Sequence, residues 1–86
     1  MSAKVLLTSP LVRGEMEVSE IELREPKAGE LRGLNNMDVL QMSVTAHRTL
    51  IPRISSVTAN EFDQLAPADL IQLQQAVVSF FLPGDQ

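Results

Sequence analysis

A small single α+β domain, with an N-terminal β-hairpin followed by about three α-helices, is the fold that this sequence predicts. Three observations carry the prediction. Apolar and charged residues alternate through the first part of the chain, as they do in half-buried strands. Beyond it, apolar residues recur at helical spacing. Between the two stretches, Pro26 and Gly29 punctuate the chain. The hairpin is expected over about 3–25 and the helical part over about 30–82, within one domain spanning 1–86. A domain of 86 residues buries only roughly 60% of its unfolded surface, which favours pairing with another chain.

Lys4 to Leu7 reads as a first strand, stopped by Ser9-Pro10, and Arg13-Gly14 as the turn. Met16 and Val18 then alternate with Glu15, Glu17 and Ser19, whereas Ile21 and Leu23 alternate in the opposite phase. Side chains in a strand have a period of two, so a change of phase requires an extra residue. The pattern therefore predicts a bulge near Ser19-Glu20, or else a second strand that begins only at Ser19. Pro26 ends this strand, because it has no N–H to give to a ladder.

A short helical turn is expected at Glu30–Leu34. Asn35 or Asn36 caps a first long helix, with Asp38 near its positive end. Met37, Leu40, Val44, His47 and Ile51 share one arc of that helix, and Val39, Met42, Ala46 and Leu50 extend it. Pro52 is expected to stop it. Thr58-Ala59-Asn60-Glu61 fits a capping box, stapled by Ile54 and Val57 and opening a short helix through Leu65. Pro67 suits the first turn of a last helix, which runs to about Leu82 and is stopped by Pro83-Gly84.

In that last helix Leu70, Leu73, Val77, Phe80 and Phe81 form a core stripe. Ile71, Val78 and Leu82 widen the apolar arc to roughly 200°, about twice what a surface helix needs. The arc is interrupted only by Gln74. Either the helix is central in the domain, or the surplus is a protein-binding face made of Ile71, Gln74, Val78, Phe81 and Leu82.

Composition excludes several functions. The net charge is −4, whereas binding to nucleic acid needs a basic surface. With three Phe and neither Trp nor Tyr, the chain also lacks aromatic platforms for single strands. There is no cysteine, and hence no disulfide or thiolate metal site. The first apolar run is too short for a signal peptide, and none approaches the roughly 20 residues of a membrane span. A cytoplasmic location is the expectation.

His47 is the single histidine and lies on an apolar arc without a second ligand or an acid partner. A packed or partner-facing role fits it better than catalysis or metal binding, so no catalytic residue, metal ligand or cofactor is expected. Glu15, Glu17, Glu20 and Glu22 read as a solvated strand face. Glu61, Asp63 and Asp69 read as helix-start residues. Arg24, Lys27 and Arg32 gather around the Pro26 turn, either as a plain solvated turn or as a contact for an acidic partner. Met16, Met37 and Met42 suit either core packing or an adaptable binding surface.

One further pattern is the order of short segments: KVLLTSPL, then LREP followed by KAGEL, then LIP, then QLAPADL and finally VVSFF. In that order and spacing, over nearly the whole chain, the sequence resembles the tail assembly chaperones of Mu-like contractile-tailed phages. It departs from their pattern in the short run between the strands and in IPRISSVTANEF. The resemblance implies a non-enzymatic protein that binds the tape measure protein and keeps it soluble while the tail tube polymerises. It also implies location in the host bacterial cytoplasm, absence from the mature virion, self-association, and a longer form of the protein made by ribosomal frameshifting. A permanent small component of the tail or baseplate is the alternative. A small acidic inhibitor that folds on a basic target is a third reading.

Overall fold

The computed structural model describes residues 2–82. It is an N-terminal antiparallel hairpin followed by helices, as the sequence predicts. Strand β1 (Ser2–Arg13) pairs with β2 (Met16–Arg24). They are joined by Gly14-Glu15, with Gly14 at φ 59°. That left-handed conformation is what a two-residue hairpin loop asks of its first position, and Gly adopts it without a steric penalty.

The predicted irregularity is present, but the other strand carries it. Leu6 pairs with Glu20, and the next pair is Leu11 with Val18. Four residues of β1, Leu7–Pro10, thus stand opposite Ser19 alone. An odd shift of this kind changes the phase of β2 relative to β1. Ile21 is consequently buried beside Val5, while Val18 packs against the core beside Leu11. Ser9-Pro10 does not stop the strand. Pro10 falls in the out-of-register stretch, where no ladder donor is required of it.

After a single 3-10 turn at Ala28–Leu31 come α1 (Asn36–Leu40), α2 (Val44–Ile54), α3 (Ala59–Phe62) and α4 (Pro67–Ser79). Asn35 is the cap of α1, its Oδ1 accepting from the Met37 and Asp38 amides at 2.7 and 3.4 Å. The capping box of α3 forms as read. Glu61 N–H donates to Thr58 Oγ1 and Thr58 N–H to Glu61 Oε1, both at 3.1 Å. Pro67 occupies the first turn of α4. Regular α4 ends at Ser79, and i→i+3 bonds carry the turn on to Leu82. The predicted stop at Pro83-Gly84 lies outside the described residues.

The first long helix of the prediction is instead two helices, which is why there are four rather than three. The chain breaks at Gln41–Ser43, with Met42 at φ 63°. Ser43 restarts the helix as a new N-cap, its Oγ accepting from the Ala46 amide at 3.3 Å. Pro52 does not end α2, which continues to Ile54. Its missing N–H would have pointed at a carbonyl of the preceding turn, and the loss is borne within the helix.

The core lies between the inner face of the hairpin and the helices. It joins Val5, Leu7, Leu11, Ile21 and Leu23 to Val39, Leu50, Ile51, Ile54, Val57, Phe62, Leu73 and Val77. Helix α4 packs along β1, and α2 packs against β2.

The left-handed Met42 yields a test by substitution. In a helix interior Ala is favoured over Gly by about 1 kcal/mol, but at a left-handed position an L side chain costs about 1–2 kcal/mol that Gly does not incur. Met42→Gly is expected to be more stable than Met42→Ala by about 1 kcal/mol in urea denaturation. The reverse order would mean that the helix runs unbroken.

Candidate protein-binding surface

Two buried polar side chains hold the break between α1 and α2. Gln74 reaches from α4, and its Nε2 donates to the Met42 carbonyl at 2.9 Å. His47 reaches back from α2, and its Nε2 lies 2.8 Å from the Val39 carbonyl. Carbonyls at the end of a helix lack an intrahelical partner. Gln74 supplies one to the Met42 carbonyl, and His47 adds a second bond to the Val39 carbonyl, which already accepts from the Met42 N–H at 3.1 Å. Both are almost fully buried, His47 at 0% and Gln74 at 2% exposure.

The contact to a carbonyl requires that His47 carry its proton on Nε2. Its Nδ1 is buried without a partner. Burial lowers the pKa, against the opposing effect of the Val39 carbonyl. A second proton would place an unpaired donor in the core. Because the folded pKa is depressed, the contribution of His47 to stability is complete above the ordinary value near ~6.5 and is lost as pH falls towards the folded pKa. The imidazole signal of His47 in NMR is accordingly expected to titrate with a midpoint below the ordinary value near ~6.5, and a midpoint at or above it would contradict this account.

A second buried device fastens α4 to the hairpin. Asp69 is 0% exposed. Its Oδ1 accepts from Thr8 N–H at 2.8 Å and from Thr8 Oγ1 at 3.0 Å, and its Oδ2 accepts from Ser9 N–H at 3.0 Å. These are the amides that the register shift frees from the ladder. The Thr8 amide is the main reason that the Asp69 pKa lies below the ordinary carboxylate value, outweighing burial, with Ser9 and the Thr8 hydroxyl adding to it. Asp69 does lie in the first turn of α4, as its position suggested, but its oxygens serve β1 rather than the amides of its own helix. Asp63, read in the same way, instead stands at the C-terminal end of α3.

Ion pairs close the periphery. Arg13 grips Glu61 through Nε at 2.6 Å and Nη2 at 2.9 Å, tying the hairpin end to α3. Arg48 and Asp63 form a similar pair at 2.8 and 3.0 Å. Arg24 pairs with Glu30 and also donates to the Arg53 carbonyl at 2.8 Å. Arg53 donates to the carbonyls of Glu30 and Arg32. The basic cluster read at the Pro26 turn is thus partly consumed, since Arg24 serves the fold. Among the described residues no group of three or more His, Asp or Glu side chains is placed to hold a metal ion. No described helix is long and apolar enough to cross a membrane.

Large apolar side chains also remain exposed. Of the predicted binding face, Ile71 and Leu82 are open, at 44% and 60%. Val78 is half-buried, and Phe81 is partly buried against the core. Gln74 does not belong to an exposed face, because the break draws it inward to Met42. In its place the structure exposes Met37, Leu40 and Val44 on either side of the break. The sequence put these three in a core arc because it treated α1 and α2 as one helix. Only the methionine reading gave Met37 a surface role. The Gln74–Met42 bond sets the middle of α4 against the break.

The family model for phage tail assembly chaperone proteins, E, or 41 or 14, matches residues 4–82. Tail assembly protein E of Escherichia phage P2 is 33% identical over 82 residues, covering 93% of this chain and 90% of that protein. Tail assembly protein E′ of the same phage is 32% identical over 80 residues, 91% of this chain but only 56% of E′. No solved structure matches significantly. The family is one of tail assembly chaperone proteins. With a match over nearly its whole length, the chain belongs to the phage tail assembly chaperone family.

Proposed function

We propose that this protein binds the tape measure protein of its phage and keeps it soluble while the tail tube polymerises. The carrying observation is the set of apolar side chains that the helices leave exposed: Met37, Leu40 and Val44 on either side of the α1–α2 break, and Ile71 and Leu82 near the two ends of the last helical segment. A long helical client presents apolar seams that aggregate unless they are masked, and an apolar helical surface is suited to masking them. Several separate side chains of moderate exposure suit many weak contacts, which allow release as the tube closes around the client. On this reading the protein acts in the host bacterial cytoplasm, self-associates along the client and leaves before the virion is mature.

The similarity to both E and the longer E′ supports a second product that shares this domain and adds a C-terminal extension. A slippery run of codons near Phe80-Phe81 is the expected source, and the coding DNA tests it directly. The main reading is tested by co-expression with the tape measure protein, followed by size-exclusion chromatography with light scattering. Co-elution of a client that is insoluble alone is the expected result. A client that stays insoluble, with this protein eluting alone and recovered in purified virions, would favour a permanent tail component instead.

A further inference from the structure

The outer face of the hairpin is built differently from the helical surface. Away from the core, β1 exposes Leu6 and Val12, at 73% and 62%. Directly across the ladder from them on β2 stand Glu20 and Glu17, and Glu22 stands across from Lys4. Opposed residues on one face of a ladder are roughly 5 Å apart, so an apolar row runs beside a row of carboxylates. None of Glu17, Glu20 and Glu22 has a hydrogen bond or ion pair among the described residues. The basic groups nearby do not balance them. Lys4 faces only Glu22, while Arg24 and Arg53, which share a groove with Glu20 and Glu22, are engaged by Glu30 and by backbone carbonyls.

We propose that this face, Leu6 and Val12 flanked by Glu17, Glu20 and Glu22, binds a helical segment of a partner protein that carries an apolar stripe bordered by Lys or Arg. Charge complementarity selects the occupant. A second copy of this chain is a poor match, because α4 has no basic residue and Arg48 and Arg53 are committed within the fold. The surface lies apart from Ile71 and Leu82, and the inference goes beyond the function proposed above. From Leu6 to Val12 the strand extends at most roughly 20 Å, a length that about four turns of helix would cover.

The test uses the full chain and two synthetic helical peptides with the same Leu stripe, one flanked by Lys and the other by Glu, with binding read by fluorescence anisotropy. The Lys peptide is expected to bind at least tenfold more tightly than the Glu peptide. Glu17→Gln, Glu20→Gln and Glu22→Gln together should weaken it at least tenfold, and Leu6→Ser with Val12→Ser at least fivefold. Asp38→Asn with Asp63→Asn removes carboxylates of the helical part and should change it less than twofold, as should Ile71→Ser with Leu82→Ser. Equal binding of the two peptides overturns the proposal. So does weakening by the Asp38/Asp63 control as great as that by the triple variant, since this would report net charge alone. A wild-type dimer in light scattering that Leu6→Ser with Val12→Ser dissolves would assign the face to a second copy and overturn it as well.

Discussion

Asp69→Ala is expected to destabilise the domain by about 2–3 kcal/mol, because it removes three part-buried hydrogen bonds to a charged acceptor. Domains are stable by only about 5–15 kcal/mol, so this is a large fraction of what a chain of this size has. The mechanism distinguishes itself from loss of packing through Asp69→Asn. An amide oxygen can still accept from Thr8, but the amide nitrogen then faces the Ser9 N–H, donor against donor. Asn is therefore expected to fall between Asp and Ala. The pH dependence follows from the sign of the shift. The folded pKa is depressed, so the contribution of Asp69 is complete above the unfolded value near ~3.9 and disappears as pH falls through the folded pKa. In urea denaturation the gap between wild type and Asp69→Asn should be widest at neutral pH and narrow at about pH 3. A gap below about 0.5 kcal/mol at pH 7 would show that the carboxylate does not hold the irregular strand.

Ile71→Asp combined with Leu82→Asp is expected to abolish solubilisation of the tape measure protein while leaving the fold intact. Both side chains are already in water, and surface substitutions of this kind usually change stability by less than about 0.5 kcal/mol. A charge at each position would, however, have to be desolvated against an apolar client. Val78 is a poorer choice, because its half-buried position mixes binding with stability. Circular dichroism and a urea titration establish the fold, and recovery of soluble client in co-expression reads the function. Undiminished recovery with both substitutions present would move the client surface to Met37, Leu40 and Val44 alone, or away from the helices altogether.

The sequence was legible wherever the signal is local. The Gly14 turn, the Asn35 cap, the Thr58–Glu61 capping box, Pro67 at the start of α4 and the Leu70/Leu73/Val77 stripe all stand as read. Even the phase slip in β2 was a true report of an irregular ladder, although alternation in one strand does not say which strand holds the extra residues. The failures share one origin. Helical spacing is continuous across Gln41–Ser43, so periodicity alone joins α1 to α2 and sends Met37 and Val44 inward. The same spacing puts Gln74 on the outer arc of α4 and cannot foresee that a carbonyl elsewhere will draw it in.

By itself, then, the sequence determined the α+β class, the order of the elements and most of their caps, because each depends on residues within about one helical turn or one strand register of each other. The tertiary structure alone decided the break at Met42, the inward turn of Gln74 and His47, the capture of β1 by Asp69, and hence which apolar side chains remain for a partner. Those choices rest on bonds between residues 8, 32 and 61 positions apart. At such separations the partner of a polar group is set by how the elements pack, and no local pattern encodes it.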